Sequence, residues 1–434
     1  MILRDPVHGI VSFESEEASI VETLLDTREV QRLRRIRQLG LTSLAFPGAE
    51  HTRFAHAIGA AHVMQLFLTR LRQIDHELPF WQRVTSDRAR EAIVAAFLHD
   101  LGHGPFSHLF EQALPQSFHH EAWTANVILD SATEVHRVLA ARDPHLPQRV
   151  VDLICGRHEL PYLSKAVSGT FDVDRCDYLL RDAHATGVRY GQYDLPWLLR
   201  SFRFSEGSDA PGLAIDGTKG LSAIESFLLA RLFMFQQVYF HKSTRAAEWM
   251  VRTILRRVVS LLQTGERLAQ IPEAITSAAH DHAPSLGSYL EMDDQVLLSS
   301  MHEWEQARDP ILRDLCQRLR RRNLFKTFEL YSEPDENRSE HLIKPTHEVA
   351  LGRAREIAKQ AQLDPDIYVG LDFAVDIPYA EDESLSVIFP NDRKRFPAEV
   401  SFLLERLRNQ PLTRVRLIFA AELEEAMRKE LASP

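Results

Sequence analysis

Histidine and aspartate side chains that could bind a metal ion are concentrated in part of this sequence. Nine of the 20 histidines lie between residues 51 and 120. His56 precedes the stretch LHDLGHGPFSH, which contains His99 and Asp100, and Asp174 follows within TFDVDRCDYLLRD. A buried carboxylate is costly unless a cation or a donor compensates it. Two imidazoles and two carboxylates could therefore enclose one divalent ion, and such a centre would suit attack of water on phosphorus.

The ligand types do not identify the metal, because such a set accepts Fe, Mn, Mg, Ni, Co or Zn. A single histidine on an apolar helix is more often a hydrogen-bonded core residue than a ligand. Here, however, His103 and His108 follow on the same loop, and Gly102 and Gly104 would let the backbone come close to a ligand. We therefore predict one divalent metal ion per site.

The elements that must position these side chains are mainly helical. From Ser19 to about Leu330 most segments show the apolar periodicity of helices. The stretch AREAIVAAFL predicts a helix over residues 89–98 that stops before a glycine-rich loop, and Ser222 to Leu262 predicts one or two long helices. These segments predict a large helical domain.

The last quarter of the chain has a different pattern. Residues 332–347 are polar and contain two prolines, which predicts a linker. Beyond it the sequence predicts a short helix and then strands, over residues 348–362, 367–377, 385–389 and 414–419. We therefore predict a mainly α protein with two domains, a helical domain over residues 1–331 and a small α+β region over residues 332–434.

Composition narrows the class of protein. The 434 residues are 44% hydrophobic and 26% charged, which is ordinary for a soluble globular protein. The apolar run Ala92–Leu98 is far too short to cross a bilayer, and the first residues lack the pattern of a secretory signal. Three scattered cysteines do not form a disulfide framework. We expect a cytoplasmic protein without a membrane partner.

The ordered motifs resemble the HD-domain phosphohydrolases, in particular their deoxynucleoside triphosphate (dNTP) triphosphohydrolase branch. That branch includes bacterial dGTPases and the vertebrate SAM- and HD-domain-containing dNTPase. The resemblance covers about the first three quarters of the chain and runs through DPVHG, QRLRRIRQLG, FPGAEHTRFAH, FLHDLGHGPFSH, HEAW, DVDRCDYLLRD, YFHK and RNLFK. It implies an HD-domain helical bundle whose metal ligands are His56, His99, Asp100 and Asp174.

The resemblance also implies a reaction. In this family the bond between the 5′ oxygen and the α-phosphorus is cleaved, which gives a deoxynucleoside and tripolyphosphate. His108 is our candidate for the general acid, because imidazole titrates near neutral pH. Glu111 lies three residues further on and could orient it from the same helical face. His103 and His120 would line the phosphate path or share in proton transfer, although an ordinary helix start explains His120 nearly as well.

Several further residues match positions that bind substrate in the family. Arg53 would clamp a phosphate, a task that suits its planar guanidinium. The remaining candidates are Gln38 at the 3′-hydroxyl, Leu39 at the sugar ring, Tyr178 and Asp182 at the sugar, Tyr239 at the 2′ side, Arg231 and Lys242 at the distal phosphates, and Arg175 beside the metal ligand. Half-buried core aromatics are the alternative interpretation of the two tyrosines.

Relatives often need an activating nucleotide at a subunit interface. Asp26, Gln31 and Arg34 stand at the corresponding positions, so the resemblance implies activation by GTP or a dNTP. It also implies a homo-oligomer, either a dimer, a tetramer or a hexamer, and Mg²⁺ bound with the nucleotide. Phe235 stands where a relative has histidine, so the preferred base stays open.

Two other functions remain open from the sequence. One is an HD-type phosphodiesterase or nucleotidase acting on another nucleotide, although the GYP signature of the cyclic-dinucleotide group is missing. The other is a nucleotide-sensing or nucleic-acid-binding regulator. The formal net charge of −10 argues against broad affinity for nucleic acid. The dGTPase-like triphosphohydrolase is therefore the preferred hypothesis.

Overall fold

The computed structural model describes residues 1–114, 119–205, 211–330, 345–381, 385–390 and 393–431. Within these ranges helices dominate, so the predicted mainly α class is confirmed. The first half contains a hairpin and the helices that surround the predicted metal ligands. Its elements are β1 Ile2–Asp5, β2 Gly9–Ser12, α1 Ile20–Leu25, α2 Arg28–Arg32, α3 Arg53–Ile74, α4 Ser86–Leu98, α5 His108–Ala113, α6 His120–Leu129, α7 Glu134–Arg142, α8 Leu146–Ile154, α9 Pro161–Val167, α10 Val173–Thr186 and α11 Leu195–Arg200.

The second half adds two small sheets to further helices. Its elements are β3 Phe202–Ser205, β4 Gly212–Asp216, α12 Leu221–Met234, α13 Lys242–Gln263, α14 Glu273–Ala279, α15 Leu286–Leu290, α16 Asp294–Trp304, α17 Pro310–Arg320, β5 Lys326–Glu329, α18 Pro345–Gln360, α19 Pro365–Tyr368, β6 Val369–Asp376, β7 Ser386–Phe389, β8 Arg393–Arg395, α20 Pro397–Val400, α21 Phe402–Leu407, β9 Leu412–Phe419 and α22 Glu424–Leu431. The strands predicted after residue 366 are thus present.

The helices that carry the predicted ligands have clear start and stop signals. The Thr85 hydroxyl accepts a hydrogen bond from the Arg88 N–H at 3.3 Å and caps α4, which begins three residues before the predicted start. Asp172 caps α10 by accepting from the Arg175 N–H at 2.8 Å. That helix ends at Gly187, whose φ of 76° favours glycine. Side-chain caps satisfy donors that a helix start leaves unpaired.

The long helical segment predicted from residue 222 is interrupted. Residues Phe235–Tyr239 form a π-turn between α12 and α13, and the Phe240 N–H donates to the Phe235 carbonyl at 2.9 Å. A π-turn inserts one extra residue into a helical turn and is found frequently at functional sites. Here it changes the direction in which Phe235 and Tyr239 project relative to a regular helix.

The C-terminal strands form sheets together with strands that precede them in the sequence. β7 pairs in parallel with β4 in the sheet of order β3-β4-β7-β8. β9 pairs antiparallel with both β5 and β6 in a second sheet. Strands from both sides of the predicted domain boundary therefore share two sheets. The predicted linker falls largely on residues 331–344, outside the described chain, and the division into domains stays a prediction.

Two hydrophobic cores organise the described chain. α3 packs against α4 and α10 in the first core, and α13 packs against α14 and α17 in the second. Leu39, Tyr178 and Tyr239 lie against the first core, whereas Phe106 and Leu109 belong to the second. All five residues line one cavity, which therefore lies where the cores meet. Among the described residues, no helix combines the length and apolarity needed to span a membrane.

Candidate functional site

The four predicted metal ligands converge from three helices. α3 contributes His56, the end of α4 contributes His99 and Asp100, and the first turn of α10 contributes Asp174. Nε2 of His56 lies 3.0 Å from Oδ1 of Asp174 and 3.4 Å from Nε2 of His99. Nε2 of His99 lies 3.4 Å from Oδ1 of Asp100. Nitrogen and carboxylate donors thus surround one point, where His56, His99 and Asp174 could hold a metal ion.

Each of the two imidazole rings is held in its orientation by a contact of its other nitrogen, Nδ1. Nδ1 of His56 lies 2.7 Å from Oδ2 of Asp177, and Nδ1 of His99 lies 2.9 Å from the carbonyl oxygen of Ala96. A partner on one ring nitrogen fixes the ring so that the other can bind a metal. The donor set therefore fits a divalent ion, and its composition does not distinguish which one.

Electrostatics at the cluster favour a cation. Burial lowers the pKa of His56, but hydrogen bonds to Asp174 and Asp177 outweigh this effect and raise the pKa to about 10. Burial likewise opposes ionisation of Asp174, yet its hydrogen bonds to His56 and His99 hold its pKa below the ordinary value. The carboxylates of Asp174 and Asp177 therefore favour positive charge at this point.

Asp177 and its partners are candidate functional residues that the sequence analysis missed. The Asp177 side chain is fully buried and accepts hydrogen bonds from Nε and Nη2 of Arg181, both at 2.8 Å. Nε2 of His8 lies 2.6 Å from Oδ1 of Asp177. Arg181 also donates to Asp5 at 2.8 Å. A buried network therefore fixes the carboxylate that orients His56.

A glycine on α3 makes this network possible. A Cβ at Gly59 would lie 1.9 Å from Oδ1 of Asp177 and 2.3 Å from Nη2 of Arg181, so any side chain would displace the pair. A signal for Asp177 was present in the sequence, because it lies three residues after Asp174 on one amphipathic helix. The motif DPVHG likewise contains Asp5 and His8. Their role becomes visible only once β1 and α10 are adjacent.

Arg53 connects the ligand cluster to a strained loop. Its guanidinium pairs with Asp100 and donates to the Ser107 hydroxyl at 2.7 Å. Phe106 and Ser107 have φ values of 52° and 59°, which non-glycine residues rarely adopt. Asp294 stabilises this loop, because its Oδ1 accepts from the Phe106 N–H at 2.8 Å. Such strain persists only where surrounding contacts impose it, commonly at functional sites.

Three of the four predicted acid–base residues, His103, Glu111 and His120, form a second cluster beside the first. Nε2 of His103 lies 3.3 Å from Oδ1 of Asp100. Oε1 of Glu111 lies 3.6 Å from Nδ1 of His103 and 3.4 Å from Nδ1 of His120, and the two imidazole rings stack at 3.9 Å. Burial and then the nearby Arg53 hold the pKa of His103 well below its ordinary value.

His108 begins α5, but its side chain lies outside the described residues. Its pairing with Glu111 therefore stays a prediction. In the structure the Glu111 carboxylate faces His103 and His120. This second cluster also has a composition and spacing that could hold a metal ion.

The structure shows a packing reason for the two glycines in this motif, in addition to the predicted approach to a ligand. A Cβ at Gly102 would lie 2.2 Å from the His120 carbonyl oxygen and 2.3 Å from the Thr124 nitrogen, so α6 requires a glycine here. A Cβ at Gly104 would lie 3.0 Å from Phe110 and Tyr289. Close packing of α6 and of aromatic side chains therefore favours glycine at both positions, and the approach of this backbone to a ligand stays a prediction.

A cavity of about 440 Å³ adjoins the ligand cluster. It collects six of the nine predicted substrate residues. Its lining is mostly polar and aromatic and includes Gln38, Leu39, Arg53, Tyr178, Asp182, Phe235, Tyr239, Thr244, Arg245, Glu248 and Arg252. The Tyr239 hydroxyl donates to Oδ2 of Asp182 at 2.8 Å, and Nε2 of His51 lies 2.7 Å from its Oδ1. Asp182 is therefore fixed by two partners, and His51 is a further residue that the sequence analysis missed.

The three other predicted substrate residues have different surroundings. Arg175 pairs with Asp172, the cap of its own helix. Arg231 lies 3.2 Å from Asp376 of β6, and Lys242 is exposed at the start of α13. None of the three belongs to the lining of the cavity. Their phosphate-binding roles stay predictions.

The residues predicted to bind an activating nucleotide lie on and beside α2. Gln31 donates to the Leu25 carbonyl at 2.6 Å and accepts from Nε of Arg34 at 2.9 Å. The Arg34 guanidinium lies over the Phe54 ring at 3.6 Å, and Asp26 is exposed at the end of α1. Arg34 therefore contacts the helix that carries His56, and the regulatory role of this group stays a prediction.

Comparisons with known proteins agree with this geometry. The HD domain matches residues 53–182, and the HD associated region matches residues 194–429. An uncharacterized protein of Bacillus subtilis, YwfO, is 36% identical over 384 residues, covering 87% of this chain and 80% of that protein. The deoxynucleoside triphosphate triphosphohydrolase SAMHD1 homolog of Dictyostelium discoideum is 28% identical over 339 residues, covering 75% and 59% respectively.

A solved structure extends the similarity to the whole fold. The crystal structure of a phosphohydrolase from Bacteroides thetaiotaomicron superposes with a TM-score of 0.78 at 26% identity. The match covers 96% of this chain and 99% of that chain. The family ranges include the helices of the ligand cluster and the C-terminal strands. The chain therefore belongs to the HD-domain phosphohydrolase family, with an HD domain followed by the HD associated region.

Proposed function

We propose that this protein is a metal-dependent dNTP triphosphohydrolase that converts a dNTP and water into a deoxynucleoside and tripolyphosphate. The observation that carries this proposal is the double position of Arg53. Arg53 pairs with the ligand Asp100 and also lines the cavity that contains Tyr178 and Asp182. A nucleotide whose sugar occupies this cavity would have its phosphates beside the metal ligands. The name of the Dictyostelium relative supports the same activity.

The chain provides the positioning that this reaction needs. A divalent ion held by His56, His99, Asp100 and Asp174 would act as a Lewis acid toward the phosphate and make a bound water more acidic. Arg53 adds a fixed positive charge next to that site, where negative charge increases during attack on phosphorus. Asp177 keeps the His56 ring in the orientation that this arrangement requires.

The reaction also requires proton transfer to the leaving oxygen. Water adds to the α-phosphorus, the bond to the 5′ oxygen breaks, and that oxygen takes a proton to become the nucleoside hydroxyl. The proposed general acid that supplies this proton is His108. His103, Glu111 and His120 lie in mutual contact beside Asp100 and could pass protons between this site and the surface.

The sugar side of the cavity supports a deoxynucleotide. Tyr239 is held by Asp182, and its ring lies 6.3 Å from the Tyr178 ring in an edge-to-face arrangement. A bulky aromatic ring held in this way would disfavour a ribose 2′-hydroxyl next to it. Activation by GTP or a dNTP, a homo-oligomeric state, Mg²⁺ with the nucleotide and a cytoplasmic location accompany this proposal as predictions.

Product analysis tests the proposal directly. Each of the four dNTPs is incubated with the protein and Mn²⁺, with and without GTP, and the products are separated by anion-exchange chromatography. We expect equal amounts of deoxynucleoside and tripolyphosphate, and little turnover of the matching ribonucleotides. Asp174→Ala serves as the inactive control. Release of monophosphate and pyrophosphate by the wild-type protein would contradict the proposed cleavage site.

A further inference from the structure

One wall of the cavity has no role in the reaction described above. Thr244, Glu248 and Arg252 line the cavity from α13, at intervals of four residues. Side chains at this spacing lie on one face of a helix. The candidate sugar-binding residues Tyr178 and Asp182 come instead from α10. A nucleotide held by its sugar would therefore have a second polar surface available within the same cavity.

Several polar side-chain atoms of residues that line this cavity have no hydrogen-bond partner among the residues that the structure describes. The Thr244 side chain is buried, and its Oγ1 is unpaired. Nε of Arg252 is buried without a partner, and so is Oε1 of Gln38 on another side of the cavity. Buried polar groups are normally hydrogen-bonded, and the three residues that carry these unpaired atoms all line the cavity, where a bound ligand could supply the partners.

Glu248 is held rigidly by the C-terminal part of the chain. Nη1 of Arg245 donates to Oε2 of Glu248 at 3.0 Å. The same guanidinium donates from Nε to Oδ1 of Asp372 on β6 at 3.0 Å. Asp372 is itself buried within the sheet that β6 forms with β9. The carboxylate therefore has a fixed position, which a specificity-determining group requires.

We propose that Thr244, Glu248 and Arg252 contact the nucleobase and select guanine, an inference that rests on the proposed function. A carboxylate can accept from the adjacent N1–H and N2 amino donors of guanine, and a guanidinium can donate to its O6 or N7. Adenine offers an amino donor in place of O6, which does not match Arg252. Phe235, which also lines the cavity, adds an aromatic surface on which a base can stack.

The test compares bases that differ in single groups. Steady-state kcat/KM is measured for dGTP, dITP, dATP and dTTP with the wild-type protein and with Glu248→Gln. dITP lacks only the N2 amino group of guanine. We expect the wild type to prefer dGTP, and Glu248→Gln to lower kcat/KM for dGTP by about 10- to 100-fold. For dITP the loss should be clearly smaller, and for dTTP less than about twofold.

A second pair of variants provides a matched control on the same helix. Arg252→Met should reduce the dGTP to dATP ratio of kcat/KM, because its guanidinium distinguishes O6 from an amino group. Arg256→Met removes the same charge one turn further on, where the side chain is exposed, and should leave the ratio unchanged. An equal effect of both substitutions would mean that general electrostatics, not base contact, is responsible, and the inference would be wrong.

Failure of this inference can be distinguished from failure of the proposed function. If the wild type converts dNTPs, but Glu248→Gln changes all four kcat/KM values equally, the proposed base contacts are refuted. The proposed triphosphohydrolase activity is not affected by that result. If no dNTP is converted, thermal shift with dGTP and dITP in the absence of added metal still reports base binding. If dGTP stabilises the wild type more than dITP does, and Glu248→Gln abolishes this difference, the proposed base contacts are supported. Equal stabilisation of the wild type by dGTP and dITP would overturn them.

Discussion

Oδ2 of Asp177 lies 2.7 Å from Nδ1 of His56, on the side of the ring opposite the nitrogen that faces the metal ligands. This contact supports a positioning role for Asp177 toward His56, a proposed metal ligand. It also connects His56 to Arg181 and His8, because both contact the same carboxylate. The affinity of the proposed metal site should therefore depend on residues that lie outside it.

Asp177→Asn should weaken metal binding while the fold is retained. The amide is similar in size to the carboxylate but no longer stabilises the His56 ring by its charge. We expect Mn²⁺ affinity to fall by about 10- to 100-fold, the range for partners of metal-bound histidines. Calorimetric titration of the metal-free protein measures this change. Asp366→Asn, at an exposed aspartate, is the matched control and should bind like the wild type; equal affinity for all three proteins would exclude a positioning role.

Asp174→Ala and Asp100→Ala should differ in stability although both lose metal. The Asp174 side chain is 31% exposed, whereas Asp100 is buried and pairs with the buried guanidinium of Arg53. Removal of Asp100 leaves that charge without its carboxylate. We expect its free energy of unfolding to be lower than that of Asp174→Ala by about 1–3 kcal/mol. Urea unfolding of both metal-free variants checks this, and identical midpoints would contradict the importance of the Arg53 pair.

Arg53→Lys should impair turnover more than metal binding. Lysine keeps the charge but cannot contact Asp100 and Ser107 together through a planar fork. We expect kcat to fall by about 100-fold, comparable to loss of one group that stabilises a transition state. Metal content, measured by mass spectrometry, should be unchanged. A variant that loses its metal would show instead that Arg53 acts mainly by holding Asp100.

His108→Ala should retain the metal and slow the reaction by about two to four orders of magnitude, as expected for loss of a general acid. The predicted effect is on kcat, because the proton is needed only at bond cleavage. Single-turnover kinetics with dGTP and the metal content of the same sample measure the two quantities together. Full activity would transfer the role to His103, which contacts Asp100, or to His120, which stacks on His103.

Metal binding should release protons, because the pKa of His56 is raised from its ordinary value of 6.5 to about 10. Below the raised pKa the metal-free ring carries a proton, which a metal must displace. Protonated His56 stabilises the folded, metal-free protein. This contribution is complete below about pH 6.5 and is lost as the pH rises toward 10. Because the metal competes with that proton, metal affinity should increase over the same interval.

Titration calorimetry at pH 7 in buffers of different ionisation enthalpy measures the released protons. We expect at least one proton per Mn²⁺ bound. Asp177→Asn should release fewer protons, because removing one of the two carboxylate partners lowers the pKa of His56. A proton count of zero in the wild-type protein would show that His56 is neutral before the metal binds.

Short-range signals in the sequence were sufficient for part of the fold and the site. The alanine-rich stretch before His99 predicted α4, and alternation predicted the strands that became β6, β7 and β9. The types and order of the four ligands predicted a metal centre before their distances were known. Helix period, caps and strand alternation depend on neighbouring residues, so one sequence is enough to find them.

Contacts between distant segments were not predictable in the same way. His8 and Asp177 are 169 positions apart, and Arg245 reaches Asp372 across 127 positions. Nothing in the local pattern around Arg245 indicates a partner on β6. The parallel pairing of β4 with β7 likewise depends on how the chain returns after α13, which packing determines.

The amino-acid sequence alone thus determined the helical class and indicated the candidate metal ligands with the chemistry that they would permit, because these depend on residue type and local spacing. The tertiary structure decided which carboxylate orients His56 and which helix face closes the cavity. It also decided how the C-terminal strands support that face. Those features arise when surfaces far apart in the chain bury each other, and the free energy of that burial depends on the whole fold.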